Sequence, residues 1–238
     1  VRIAEIGKGD AVIDVAAGTG AVSLRAARLG ADVLATDFSS GMLEVLARLA
    51  KEEGVKVKTE VMNGQALTLD DARFDAGFSM FGLMMFPDRV AGFRELYRVV
   101  KPGGRALVGV WSAPESLEFF ATMMGALGKA VPDFPKPEKP PSWLALTDPA
   151  ILAGEMAVGG FDEVKVHTMK HRWTFESPEW LWDRLETLAP GLHFIFRNLN
   201  DDQKTRFGEA FRELVREKVE DGVCGLSAEA HLALGKKT

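Results

Sequence analysis

The first 111 residues alternate short apolar runs with amphipathic stretches, a pattern that predicts parallel strands covered by helices. Ala11 to Val15 reads as a first strand, bounded by Gly9-Asp10 and by a glycine-rich turn. Val22 to Leu29 follows as a helix stopped by Gly30, and Asp32 to Thr36 as a second strand. A helix from Gly41 to Glu53 carries Met42, Val45, Leu46 and Leu49 at helical spacing, with Ser39 or Ser40 as its cap. Strands over 55–62 and 74–80, a helix over 88–100, and a strand over 105–111 after the turn Lys101-Pro102-Gly103-Gly104 complete the series. Five strands alternating with three helices predict an α/β fold with a doubly wound, mostly parallel sheet.

The character of the chain changes after Trp111. Five of the 11 prolines fall between Pro132 and Pro141, which predicts a stiff, extended connection. Fourteen of the 21 aromatic residues lie at or beyond Trp111, an enrichment that suits either a lid and pocket wall or the core of a second helical layer. Strands over 162–175 and within 222–236, with helices over 178–188 and 202–220 between them, bring the sheet to seven strands. The expected organisation is a core over 1–111, a helical and proline-rich lid insertion over 112–160, and a segment over 161–238 that completes the sheet and the acceptor site. Trp180, Leu181 and Leu185 share a helix face that could pack on the sheet or on a second subunit of a homodimer.

Composition narrows the partners. Lysine plus arginine number 29 against 34 aspartates and glutamates, and a net charge of -5 repels a phosphate backbone. Nucleic acid is therefore not an expected partner. One cysteine, Cys224, leaves no internal disulfide and suits a reducing, cytoplasmic setting. No apolar run approaches the roughly 20 residues of a membrane span. The N-terminus lacks a signal-peptide layout, and because Val1 is not an initiator methionine the chain is expected to begin upstream.

The candidate chemistry lies after the first strand, in Asp14-Val15-Ala16-Ala17-Gly18-Thr19-Gly20. Glycines let a backbone turn sharply and approach a ligand without a Cβ in the way. A tight turn alone would use them too. Asp37, at the end of the second strand, makes the difference: beside the glycine loop it can accept two hydrogen bonds from ribose hydroxyls, so a nucleoside is expected. A dinucleotide fingerprint would place glycine or alanine where Ser23 stands, and Asp14 beside the loop opposes a diphosphate while suiting a cationic amino-acid tail. These residues favour S-adenosylmethionine over NAD, with an NAD-dependent oxidoreductase as the weaker alternative.

In order and spacing, VIDVAAGTG, ATDFSSGMLEVL, VMNGQALTLDDARFDAGFSMFGLMMFPD and ELYRVVKPGGRALVGVW resemble the class I S-adenosylmethionine-dependent methyltransferases. The likeness is to the ubiquinone/menaquinone C-methyltransferase-like branch, also called methyltransferase type 11. It covers residues 1 to about 111 and continues more weakly through FESPEW and LSAEAHLALGKK. The resemblance implies a Rossmann-like seven-stranded fold in which Asp14, Ala16, Gly18, Thr19 and Gly20 cradle the methionine part of the cofactor and Asp37 holds its ribose. It further implies that Phe38 and Met42 pack on the adenine, and that Asn63, Gly64 and Gln65 meet the adenine edge. Ser79, Met80 and Phe81 would line the floor near the methyl group. Two positions depart from the family pattern: Ala16 replaces a glycine, and Asn63 stands where aspartate is common.

Methyl transfer from a sulfonium asks the protein to align donor and nucleophile and to exclude water. A general base is needed only when the acceptor must lose a proton. Of His167, His171, His193 and His231, the choice falls on His193, in the apolar aromatic segment Gly191-Leu192-His193-Phe194-Ile195-Phe196. Ser79-Met80-Phe81-Gly82 lacks the Asn/Asp-Pro-Pro-aromatic pattern associated with amino-group methylation, and no acidic pair follows the fourth or fifth strand, so no metal is expected. The expectation is methylation of a small aromatic or apolar molecule at oxygen or carbon, yielding S-adenosylhomocysteine. A cofactor-binding sensor or partner subunit without catalysis is the competing reading.

Overall fold

The computed structural model describes residues 1–135, 141–185 and 193–238, with side chains from 195 onward in the last span. Among them seven strands form one sheet: β1 (Ala11–Val15), β2 (Asp32–Asp37), β3 (Val57–Val61), β4 (Phe74–Met80), β5 (Val100–Trp111), β6 (Asp162–Phe175) and β7 (Cys224–Lys236). Their order is β3-β2-β1-β4-β5-β7-β6. Strands β1 to β5 pair in parallel, whereas β7 runs antiparallel to β5. The doubly wound α/β sheet expected from the sequence is present. The order reverses between β1 and β4, so the connections leaving their carboxyl ends diverge and open a crevice.

The central strands are apolar because helices cover both faces. Ile13 and Phe78 are fully buried, as are Phe93 and Leu96 of α3 (Arg89–Val99). Helix α1 (Ala21–Arg28) follows β1, and α2 (Ser40–Glu52) follows β2 with the Ser39 hydroxyl accepting the Met42 N–H as its cap. Lys101-Pro102-Gly103-Gly104, expected as a turn before the fifth strand, instead lies within β5. Phe74 pairs with Val100 and Ala76 with Arg105, so the four residues bulge from the ladder, with Gly103 at φ 79°.

The chain divides into two compact units. The first comprises 1–111, 141–169 and 230–238. Residues 141–160, assigned from sequence to the 112–160 insertion, pack in this unit. Leu152 and Met156 of α5 (Pro149–Val158) and Phe161 join Ile13 and Phe93 in one buried cluster, and Arg89 grips Glu155 through two hydrogen bonds of 2.9 and 2.6 Å.

The second unit takes 112–135 together with the described part of 170–229. It contains α4 (Glu118–Ala130), α6 (Pro178–Asp183), α7 (His193–Arg197) and α8 (Asp201–Arg216). Asn200 and Gln203 cap α8 reciprocally. The rings of Phe196, Phe207 and Phe211 pack around Trp182 with centroids 5.3 to 5.8 Å away. These aromatics of the second half are core. Trp111 and Trp143, by contrast, pack against the first unit's cluster.

Candidate cofactor site

The glycine loop leaves β1 through three alternating left-handed residues, Ala16 at φ 56°, Gly18 at φ 56° and Gly20 at φ 86°. That geometry explains the glycines directly, and Ala16 holds the same conformation at a cost of roughly 1 kcal/mol. Ala16 also meets the opposite wall: a Cβ on Gly82 would sit 2.4 Å from the Ala16 methyl, so the loops after β1 and β4 touch through these two residues. Gly20 is fixed by a neighbour as well, since a Cβ there would meet Leu46 of α2 at 2.0 Å.

Asp37 closes β2 with a buried side chain. Its two carboxylate oxygens accept the backbone N–H groups of Gly18 and Ser39, each at 2.9 Å. One carboxylate thereby ties the glycine loop to the start of α2, and each oxygen keeps acceptor capacity for a ligand hydroxyl.

Asp14, 1% exposed, makes a different use of its charge. One oxygen accepts both the Ser23 N–H at 3.1 Å and the Ser23 hydroxyl at 2.6 Å. Gly20, the N-terminal cap of α1, has no side chain to offer, so Asp14 caps the helix from the neighbouring strand. Burial pushes its carboxyl up to about 6, the two Ser23 donors pull it down, and the nearby Asp37 charge pushes it up again. The described side-chain bonds of Asp14 go to α1, and Ser23 as their donor was not read from the sequence.

A cavity of about 530 Å³ opens beside this loop. Ala16, Asp37, Phe38, Asn63, Gly64 and Gln65, all predicted from sequence, line it together with Met62, Gly82, Met85, Phe86 and Pro87. The last five were missed as site residues; Gly82, Met85, Phe86 and Pro87 belong to the run FGLMMFPD after β4, and Met62 directly precedes Asn63. Phe38 is 82% exposed, an unusual state for a phenyl ring with an apolar cavity beside it. Gly64 is held between Phe86 and Val15, where a Cβ would meet ring and methyl carbons at 2.5 and 2.8 Å. The wall is mostly apolar, with one buried carboxylate and two amides.

The amides are already engaged. Asn63 Oδ1 accepts the Gln65 N–H at 3.0 Å, and Gln65 Oε1 accepts the Asp88 N–H at 2.6 Å, linking the loops after β3 and β4. Ser79, Met80 and Phe81, predicted for the floor, do not line this cavity. The Ser79 hydroxyl accepts the Leu83 N–H at 3.0 Å, Met80 packs on Gly109, and Phe81, at φ 62°, stacks on Trp111 with ring centroids 4.0 Å apart. Asp14, Gly18, Thr19, Gly20 and Met42 lie outside its lining as well.

A shallower groove along Gln65–Asp70 offers no free cation, because the Arg98 guanidinium is taken up by Glu95, Asp71 and two backbone carbonyls. Among the histidines, His167 and His171 are exposed. His231 is 4% exposed, and its Nε2 lies 3.1 Å from the Thr147 carbonyl, which can only accept. In the neutral ring Nδ1 then accepts the Thr168 hydroxyl at 2.8 Å, so both nitrogens are spent on structure. The His193 side chain lies outside the described residues. Among the described residues no cluster of His, Cys, Asp and Glu could hold a metal, and no helix is long and apolar enough to cross a membrane.

The methyltransferase-domain family matches residues 12–104, the span that runs from β1 into the start of β5. An uncharacterized protein of Mycobacterium tuberculosis is 39% identical over 127 residues, covering 53% of this chain and 45% of that protein. The chain thus spans about half the length of such relatives. A demethylmenaquinone methyltransferase of Mycobacterium sp. is 34% identical over 171 residues, 67% of this chain and 71% of the relative. Among solved structures, a candidate methyltransferase of Bacillus halodurans superposes with a TM-score of 0.64 at 23% identity, over 99% of this chain and 96% of that one. Fold, glycine loop and the extent of the match to the mycobacterial enzyme lead to one assignment: the chain belongs to the class I S-adenosylmethionine-dependent methyltransferases, in the menaquinone C-methyltransferase-like branch.

Proposed function

We infer that the protein binds S-adenosylmethionine in the cavity beside Asp37 and transfers its methyl group to a small aromatic or apolar molecule, at carbon or oxygen. The observation that carries this reading is the buried Asp37 carboxylate, bonded to Gly18 and Ser39, standing next to the exposed Phe38 ring in an apolar cavity of about 530 Å³. An anion with spare acceptor capacity beside an open aromatic face suits a ribose and its base. When bound, the cofactor supplies a methyl group activated on a sulfonium, with a neutral thioether as the leaving group.

The chain's own residues then have limited tasks. Asp37 would hold the ribose hydroxyls, Phe38 and Met42 would cover the adenine, and Gly64 with the neighbouring amides would meet its edge. Gly18, Thr19 and Gly20 would leave room for the amino-acid tail. Alignment and exclusion of water supply the rate enhancement. His193 would take the proton where the acceptor is a hydroxyl. The name of the 34% identical relative, a demethylmenaquinone methyltransferase, supports an electron-rich ring as the acceptor class.

Calorimetric titration with S-adenosylhomocysteine and, separately, NADH tests the cofactor. Micromolar binding of the former only is expected. Asp37→Ala removes charged hydrogen bonds and should weaken that binding by about 2 kcal/mol, roughly 30-fold. NADH binding, or an unchanged affinity in Asp37→Ala, would overturn the reading.

A further inference from the structure

Asp14 and Ser23 form a buried pair that the proposed chemistry leaves without a task. Both are shielded from solvent, at 1% and 0% exposure. Two donors from one serine converge on a single carboxylate oxygen, at 2.6 Å from the hydroxyl and 3.1 Å from the N–H. Among the described residues no cation faces the pair. On the neighbouring strands, Asp14 faces Ala35 of β2 and Phe78 of β4, both apolar. β2 also brings the Thr36 hydroxyl, spent on the Asp14 carbonyl, and the Asp37 carboxylate, which repels. On α1, Arg25 is exposed and makes no described contact with Asp14. The charge of Asp14 therefore rests on Ser23 and on the N-terminal end of α1.

We propose that the Ser23 hydroxyl is a positioning residue of the cofactor site: it keeps Asp14 ionised beneath the glycine loop, so that the end of α1 favours the ammonium group of an amino-acid tail and repels a phosphate. A free helix N-terminus is ordinarily an anion site. Here a buried carboxylate occupies the first turn of α1, and Ala16, two residues beyond Asp14, lines the cavity. Neutral Asp14 would leave the helix end positive; ionised Asp14 offsets it. Because burial already pushes this carboxyl up to about 6, loss of one strong donor carries its titration into the neutral range. The proposal rests on the nucleoside reading for its ligand, but the state of Asp14 can be followed without one.

The test compares wild type with Ser23→Ala, Ser23→Thr and Asp14→Asn. Carboxyl-carbon NMR of aspartate-labelled protein, with the Asp14 resonance identified by its loss in Asp14→Asn, reports the titration directly. The midpoint should rise by about one pH unit in Ser23→Ala and return in Ser23→Thr, which keeps the hydroxyl. An unchanged midpoint in Ser23→Ala would overturn the proposal whether or not any ligand binds. Calorimetry with S-adenosylhomocysteine between pH 5.5 and 8.5 reads the consequence. At pH 6.5 Ser23→Ala should bind about threefold more weakly than wild type, with the gap closing by pH 8.5. A gap of the same size at every pH would mean that Ser23 only packs, and would also overturn it. A shifted midpoint with no S-adenosylhomocysteine binding by wild type would instead overturn the nucleoside reading, and with it the ligand half of the proposal. ADP is the phosphate-bearing probe: it should bind Asp14→Asn more tightly than wild type, and equal affinities would overturn the repulsion.

Discussion

The contact between Ala16 and Gly82 predicts a specific non-additivity. Replacing Gly82 by alanine puts a methyl 2.4 Å from the Ala16 Cβ, more than 1 Å inside an ordinary carbon contact. Both groups are attached directly to the backbone, so neither can rotate away, and the overlap should cost about 1–3 kcal/mol. Ala16→Gly removes the obstacle. The nearest atoms to the new methyl are then the residue 16 carbonyl oxygen at 3.1 Å and the Ser79 hydroxyl at 3.3 Å, distances that a shift of a few tenths of an ångström relieves.

Ala16→Gly by itself should be nearly neutral. It gains roughly 1 kcal/mol by relieving the left-handed alanine at φ 56°, and loses about 0.5–1 kcal/mol to the greater freedom of the unfolded chain. Gly82→Ala should therefore destabilise the wild type clearly and the Ala16→Gly background little, with a coupling of about 1–2 kcal/mol. Urea unfolding of the four proteins measures it. Additivity within about 0.5 kcal/mol would refute the argument, because it would mean that the loops after β1 and β4 do not meet at these two residues.

Three further outcomes follow from single side chains. Phe38 is 82% exposed, so Phe38→Ala should leave the unfolding midpoint almost unchanged while weakening S-adenosylhomocysteine by about 1–3 kcal/mol in calorimetry; a stability loss without an affinity loss would contradict its place on the cavity. The raised carboxyl of Asp14 makes the folded state bind more protons than the unfolded one between its ordinary value of 3.8 and about 6, so this group's contribution to stability falls as pH rises through that window. The loss is about 3 kcal/mol and is complete near neutrality; Asp14→Asn should lack it, and parallel stability–pH curves for the two proteins would refute the assignment. His231→Phe strands the partly buried Thr147 carbonyl and should cost about 1 kcal/mol by thermal unfolding without changing S-adenosylhomocysteine affinity; a selective loss of binding would place His231 in the site.

Much of this protein could be read from its sequence because the relevant signals are local. Alternating apolar runs are buried strands, Gly18 and Gly20 mark a backbone that must turn left-handed, and Asp37 lies at the end of a strand that such a fold places beside that turn. The family likeness rests on the same short segments. The second half was less legible. Its aromatics had no period that separated core from pocket, and only packing put Phe196, Phe207 and Phe211 around Trp182 while Trp143 joined the first unit's cluster. Residues 141–160 were grouped with the proline-rich stretch that precedes them, although Leu152 and Met156 are buried with Phe93, a partner nearly 60 positions away.

The sequence by itself determined which elements form and where a nucleoside loop sits, since periodicity, glycine and strand-end chemistry act over a few residues. Tertiary structure decided what those residues touch. It made Asp14 the cap of α1, set Ala16 and Gly82 against each other, spent both nitrogens of His231 on Thr147 and Thr168, and lined the cavity with Phe86 and Met85. Each of these depends on which atoms meet across strands that are distant in the chain. Such meetings are set by packing and by the satisfaction of buried polar groups, and no local pattern encodes them.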